Sequence, residues 1–299
     1  MGIADAFANM NKSKKEISNE NKKNSSSNVE KKDEQKKFIP KPNIGWLFYK
    51  DYFSSLDEKD YKLMLLSKDE KKQKELEIKA LELKINDKVL NIIEQRLNQL
   101  NIEELGNSSF SLKTTYPGLL IGSGNTHELP DIKGQAILGF HFDYTSGIPQ
   151  ISGSSIKGLL RSAFEYEGYI KELLEEQKIN IENVKDLEIE IFGQENKSNE
   201  VNQGTDIFFD ASIIKGTPNK KILVDDFITP HKEATKNPIP LRFLKVLPKV
   251  TFKFEFLLQD GIIKKEEKTK LFKNIILDFG LGAKTNVGYG KFQEIEAKS

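Results

Sequence analysis

The run VTFKFEFLL at residues 250–258 constrains the fold of this chain more than any other segment. Val250, Phe252, Phe254, Phe256 and Leu258 occupy every second position. Successive side chains of a strand point to opposite faces, so this period of two gathers five apolar groups on one side. Further elements can be read around it. Residues 109–116 alternate and predict a strand. Residues 136–143 predict another, with Ile137, Gly139, His141 and Asp143 on one side. Residues 154–167 read as a helix and 206–214 (DIFFDASII) as a strand. Residues 264–279 read as a helix and 287–295 as a final strand. The core order is therefore β-α-β-β-α-β with insertions, which predicts an α+β protein with a ferredoxin-like (RRM-like) core.

Ahead of that core the pattern changes. Residues 1–40 are a Lys/Asn/Ser-rich stretch with almost nothing to bury. The entropy of ordering it is not repaid, and a disordered, solvated tail is expected. Residues 41–107 form a helical N-terminal region, and the main domain runs over 108–299. The region opens on an aromatic cluster, Trp46, Phe48, Tyr49, Tyr52 and Phe53, read as a short helix docking on the body. Over 57–105 apolar residues such as Leu76, Ala80 and Leu83, then Val89, Ile92, Ile93, Leu97 and Leu100, recur at helical spacing. Residues 68–84 carry the charge of an exposed helix face.

Composition removes several function classes. The chain has no cysteine, which excludes disulfides, a Cys-ligated zinc site and a thiol nucleophile. No apolar run approaches the roughly 20 residues that span a bilayer, and no basic segment followed by an apolar one marks a signal peptide. A soluble, cytoplasmic protein without membrane contact is expected. The formal net charge of +1 gives no general basic footprint. Any nucleic-acid binding has to be local, or shared with partners.

Two motifs could supply that local binding. The first is the run Gly280-Leu-Gly282-Ala-Lys284-Thr-Asn286-Val-Gly288-Tyr-Gly290-Lys291, between a helix and a strand. Glycines permit positive φ and close approach to the main chain, and exposed N–H groups in such a loop can hold phosphate oxygens. Lys284 and Lys291 add charge. The second is Gly153-Ser154-Ser155-Ile-Lys157-Gly158-Leu-Leu-Arg161, where a strand end turns into a helix. Ser154 or Ser155 is expected to cap the helix, whose first N–H groups favour an anion. Lys157 and Arg161 are four apart and share a face. This is the pattern of a phosphate-backbone clamp that does not read bases. Neither motif is a Walker A loop or a dinucleotide fingerprint, and the aromatic signature of an RRM sheet is absent.

Together the two motifs resemble the glycine loop and the Gly-Ser-Ser-x-Lys-Gly-x-x-Arg run of the RAMP superfamily of CRISPR proteins. Further segments narrow the likeness. Leu120–His127 (LIGSGNTH), Phe208-Phe209-Asp210-Ala211, Val224-Asp225-Asp226-Phe-Ile-Thr229-Pro230-His231 and Asn237-Pro238-Ile-Pro240-Leu-Arg242-Phe243 are similar, in that order, to segments of the sixth-subunit family of the Cmr (type III-B) effector. That family usually has Tyr after the His, and this chain has Lys232. The likeness covers residues 108–296.

The resemblance implies a ferredoxin-like fold and a non-catalytic scaffold near the 3′ end of a guide RNA, within an antiviral, RNA-targeting complex. Its partners would be the guide (CRISPR) RNA, the target RNA and other Cmr subunits, namely backbone RAMP subunits, the small helical subunit and a terminal RAMP subunit. No cofactor or metal is implied. Ser154, Ser155, Lys157 and Arg161, with Gly282, Lys284, Asn286, Gly288 and Gly290, would be the RNA-binding residues. The alternative is a metal-independent RAMP endoribonuclease processing guide RNA, since such cleavage commonly uses histidine as acid or base. The candidates are His127, His141 and His231. His231 follows Asp225 and Asp226 in a polar turn, and the three read as a structural or functional polar cluster. Asp210 reads as a lone carboxylate. A purely architectural subunit without RNA contact is the third reading.

Overall fold

The computed structural model describes residues 43–49, 104–122, 136–138, 141–195, 201–219, 221–228 and 241–295, all within the unit Pro42–Ser299. The chain begins with helix α1 (Ile44–Tyr49), then strands β1 (Ser108–Thr114), β2 (Ala136–Leu138) and β3 (Gln150–Ile151). Helices α2 (Gly153–Ala163), α3 (Glu167–Glu176) and α4 (Val184–Phe192) follow. Next come strands β4 (Gly193–Glu195), β5 (Val201–Gln203), β6 (Ile207–Phe208), β7 (Ala211–Lys215), β8 (Leu223–Ile228), β9 (Leu241–Val246) and β10 (Thr251–Leu257). Helix α5 (Lys265–Phe279), a 3-10 turn (Thr285–Val287) and strand β11 (Phe292–Glu294) close the chain.

The unit is mixed α/β, built on an antiparallel sheet in the order β11-β1-β10-β7-β3, with β6 also pairing to β10. The five alternating residues of 250–258 are all buried. Helix α5 covers them with Leu271, Phe272, Ile275 and Ile276, and α2 adds Ile156 and Leu160. The Phe256 and Phe272 rings lie 5.5 Å apart. Phe110 faces Phe254 directly across the strand pair, and their rings stack at 5.2 Å, the cross-strand contact that fixes register. A second sheet, β2-β9-β8, pairs β2 parallel and β8 antiparallel to β9. Its strand β9 also bridges to Leu119, in the segment that follows β1.

Several expected elements are shorter or divided. The strand expected over 109–116 ends at Thr114, whose buried hydroxyl donates to Leu247 O at 2.7 Å and closes the turn into β10. Among the described residues, the strand expected over 136–143 gives Ala136–Leu138, in the second sheet, and residues 141–143 lie in no named strand. The helix expected over 154–167 stops at Ala163, and Glu167 opens α3. DIFFDASII is two strands, β6 and β7: Phe209 between them keeps an N–H bond to Glu255 O of β10, while Asp210 turns its carboxylate to the start of α2. The last strand is only Phe292–Glu294, the residues before it being a tight turn. Residues 225–226 lie on strand β8, not in a polar turn.

Asn43 precedes helix α1 and its Oδ1 accepts from the Trp46 N–H at 3.1 Å; the helix buries Phe48 completely. Of the helical region expected over 57–105 only the last two residues are described, and they are not helical. The tail over 1–40, His127, His231 and the segment 237–240 lie outside the described residues. Among the described residues no helix is long and apolar enough to cross a membrane.

Candidate functional site

The clamp motif occupies the first two turns of α2. Its capping position is Ser152, not Ser154 or Ser155. Ser152 makes no side-chain cap. Its hydroxyl pairs with that of Ser154 at 2.7 Å, and the carboxylate of Asp210 takes the Gly153 N–H at 2.7 Å. Asp210 also accepts from Gln150 Nε2 at 3.1 Å, so it is no lone carboxylate. A negative charge here complements the helix dipole. It also occupies part of the anion site that a bare helix start would offer.

Ser154, Ser155 and Arg161 are exposed on α2, and Lys157 is half-buried with Nζ 5.8 Å from the centre of the Phe208 ring. Arg161 reaches the other way: its Nε is 3.4 Å from Glu188 Oε1. Glu188, nearly buried, also takes Lys185 Nζ at 2.6 Å. The two clamp cations share a helix face but have different partners. Between them, Gly158 is exposed, with no atom within 4 Å of where a Cβ would stand. A mid-helix glycine costs about 1 kcal/mol relative to alanine, and nothing in the packing of the described residues requires it.

The glycine loop has a different logic. Gly280, Gly282, Gly288 and Gly290 all have positive φ, as does Lys284 at +60°. Several main-chain groups of the loop bond inside the fold. Leu281 N–H donates to Gly290 O (2.9 Å), Ala283 N–H to Leu120 O (2.9 Å) and Gly290 N–H to Gly118 O (2.8 Å). A Cβ at Gly282 would stand 2.5 Å from Leu120 O. The glycines let the loop zip onto residues 118–120, so close backbone packing accounts for Gly280, Gly282 and Gly290. The outward surface is made by side chains. Asn286 is exposed, Val287 is 62% exposed, and Tyr116, next to the Pro117 that faces Gly288, is 84% exposed. Lys291 turns inward, its Nζ donating to Asp278 O and Phe279 O at the end of α5. No hydrogen bond or ion pair joins the loop to the clamp among the described residues.

The acid pair on β8 is held from β9. Arg242 Nε donates to Asp225 Oδ2 at 2.7 Å. Asp226 Oδ2 receives Lys245 Nζ at 2.5 Å and the Tyr289 hydroxyl at 2.7 Å. Burial works against the charged Asp226 carboxylate. Hydrogen bonds from Lys245, Tyr289 and the Phe227 N–H outweigh it and hold the pKa below the ordinary carboxylate value. Burial, then the bond to Asp226, pushes the Tyr289 phenol up to about 12. The sign follows for each. The depressed acid stabilises the fold above its unfolded pKa, near 4, and that contribution is lost as pH falls through its lower folded value. The raised phenol stabilises below its unfolded pKa of about 10 and loses that contribution as pH climbs toward 12. Asp226→Asn is expected to lower the urea midpoint most near neutral pH. The gap to wild type should close in acid, and a gap independent of pH between 2 and 7 would refute the account.

The family model for the RAMP superfamily matches residues 111–293. The chain belongs to the RAMP superfamily. It is similar to the CRISPR system Cmr6 subunit of Saccharolobus solfataricus, 34% identical over 160 residues that make up 52% of this chain and 48% of the relative. It is 28% identical over 205 residues to the Cmr6 subunit of Pyrococcus furiosus, covering 50% of this chain and 58% of that one. The chain thus spans about half the length of the curated relatives it matches. Among solved structures, a chain of the type III-B Cmr-beta complex bound to cognate target RNA shares the fold, with a TM-score of 0.53 over 84% of each chain at 24% identity.

This RAMP chain holds site features that the motifs alone did not reveal. Asp210 as the α2 cap was legible only as a lone carboxylate within an expected strand. Glu188 as the counter-charge of Arg161 gave no signal, because the two meet across helices 27 residues apart in sequence. Tyr116 stands out only once its exposure is known.

Proposed function

We propose that this chain is a non-catalytic, guide-RNA-binding structural subunit of a type III-B CRISPR (Cmr) RNA-targeting effector. It acts in antiviral defence in the cytoplasm, near the 3′ end of the guide. Membership of the RAMP superfamily and the likeness to Cmr6 subunits support the complex. The observation that carries the RNA reading is the open face of α2. There Ser154, Ser155, Gly158 and Arg161 line a surface on which a phosphate backbone can lie close, Gly158 having no Cβ to hold it off. The sheet supports the finer fold reading as well. The order β1-α2-β7-β10-α5-β11 along the chain, with β11 beside β1 and β10 between β1 and β7, is what a ferredoxin-like βαββαβ core requires. Engagement of Asp225 and Asp226 by Arg242 and Lys245 supports a structural role for that pair over an acid-base one.

The test is RNA binding by the full chain, titrated against salt and repeated with the other Cmr subunits. Lys157→Ala/Arg161→Ala is expected to weaken binding and to flatten the slope of log affinity on log salt by about 1–1.5, the release of two counterions from a single strand. Glu188→Gln should do the reverse and tighten binding, since Arg161 and Lys185 lose their competing carboxylate. Gly158→Ala should raise stability by about 0.5–1 kcal/mol while weakening RNA binding. Unchanged affinity and slope in the double variant would sink the reading. Cleavage of RNA by the isolated chain, stopped by His231→Ala, would establish the endoribonuclease instead.

A further inference from the structure

Beside the start of α2 lies a cleft of about 480 Å³ that the clamp does not use, a size in the range of small-ligand sites. Ile148 and Pro149 form a buried apolar part of its wall. Its polar groups come from Gln150, Asp210 and Ser212 on one side and Asp143 and Ser146 on another. Phe209 lines it too. The neighbouring Phe208 sends its ring among Phe192, Phe256 and Phe272, within 5.6–5.8 Å of each. Phe209 is half-buried and has no ring partner among the described residues. Its main chain is fixed by the N–H bond to Glu255 O at 3.1 Å.

The polar groups define what the cleft can take. Asp143 and Asp210 are both carboxylates, so a phosphate is repelled. Asp143 Oδ2 is engaged by the Ser146 N–H at 2.5 Å. Asp210 is exposed, and each of its oxygens, one on the Gly153 N–H and one on Gln150 Nε2, retains a lone pair for another donor. The same Gln150 nitrogen lies 3.4 Å from His141 Nε2, which fixes the amide between two neighbours. An aromatic face beside an outward-looking carboxylate suits a flat ring carrying an amino group. Single-stranded RNA is recognised in this way, by stacking on aromatic side chains and hydrogen bonding at base edges. Ser154 follows directly on the Gly153 whose N–H Asp210 holds. A strand whose phosphate lies on the clamp would therefore bring its base to the cleft.

We propose that this cleft takes one unpaired, amino-bearing RNA base, stacked on Phe209 and held through its amino group by Asp210. The proposal rests on the RNA reading above and adds base selectivity to a surface whose cations read only phosphate. Cytosine and uracil separate the two contributions, since they differ chiefly in an amino group against a carbonyl.

The experiment measures binding of the full chain to oligo(C) and oligo(U) of about 12 nucleotides, within the usual span of a single-strand site. Wild type should bind oligo(C) more tightly. Phe209→Leu keeps an apolar side chain but removes the stacking face. It should lose about fivefold or more on both RNAs with the salt slope unchanged. Asp210→Asn keeps an oxygen for the Gly153 N–H but replaces the other with a donor, and should erase or invert the preference. Equal binding of the two RNAs by wild type, with Phe209→Leu unaffected, overturns the cleft as a base site. If Lys157→Ala/Arg161→Ala still weakens binding in that case, the RNA reading stands without it. If that variant too binds like wild type, both fail. Loss of association with another Cmr subunit in Phe209→Leu, with RNA affinity intact, assigns the cleft to a protein side chain and also overturns the proposal.

Discussion

Lys268→Met is expected to destabilise the protein by about 3–5 kcal/mol, the usual cost of removing one partner from a buried ion pair. The Lys268 side chain is completely buried on α5. Its ammonium lies 2.9 Å from Glu190 Oε1, 3.1 Å from Asp206 Oδ2 and 2.9 Å from the Gln259 carbonyl. Methionine fills nearly the same space, so packing is kept and the charge alone is lost. Asp206, itself without side-chain exposure, would then hold a charge balanced only by the Gln259 N–H at 2.9 Å and the Thr205 hydroxyl at 3.2 Å. Adding Asp206→Asn should return part of the loss, because the stranded charge goes with it. Denaturant unfolding of the wild type, single and double variants at neutral pH measures this. A single variant within 1 kcal/mol of wild type, or a double variant worse than the sum of the two singles, would refute it.

The consequence reaches the site. Lys268 ties the end of α4, through Glu190, to residue 206 just before β6 and to the turn after β10. The chain from there runs through β6 to Phe209 and Asp210, which sit at the start of α2. Losing this anchor should loosen the clamp as well as the core.

How far the sequence revealed this can be argued residue by residue. The strand at 250–258 and the helix at 264–279 were legible to within a residue at each end, because a strict period of two and a long apolar stripe have no competing explanation. The break at Phe209 and Asp210 was not legible. DIFFDASII keeps strand composition throughout, and the interruption comes where Asp210 meets a distant segment, the start of α2. The glycine loop was visible as a motif but its reason was not. Glycine spacing signals close approach without saying to what, and the partner is the protein's own Gly118–Leu120 backbone. Lys157 and Arg161 were singled out from their spacing, whereas Glu188, beside Arg161, and Asp210, at the start of α2, come from distant segments. Those two acids bear on the proposed function: an RNA strand on this face would compete with Glu188 for Arg161 and lie beside Asp210, and a chain of net charge +1 would add no general attraction of its own.

Gly290→Ala is expected to cost about 3 kcal/mol or more, combining left-handed backbone strain with a direct clash. Gly290 has φ +72°, and a Cβ there would collide with the carbonyl oxygen of Leu281. That carbonyl cannot retreat cheaply. Leu281 N–H donates to Gly290 O, and Gly290 N–H donates to Gly118 O, so any shift breaks the pairing that locks the loop between α5 and β11. Gly288→Ala separates the two costs. Its φ is +96°, so the strain remains, but the nearest atom to an added Cβ is Pro117 Cδ at an ordinary 3.6 Å. The Gly288 variant should therefore lose only the strain, about 1–2 kcal/mol, and retain a wild-type loop. Thermal unfolding of the two variants side by side decides between the accounts. If they are equally destabilised, backbone strain is the whole effect and the zipped contact contributes little. A much larger loss for Gly290 shows that the zipped contact adds its own cost to the strain, and that the motif is a device for joining α5 to the edge strand.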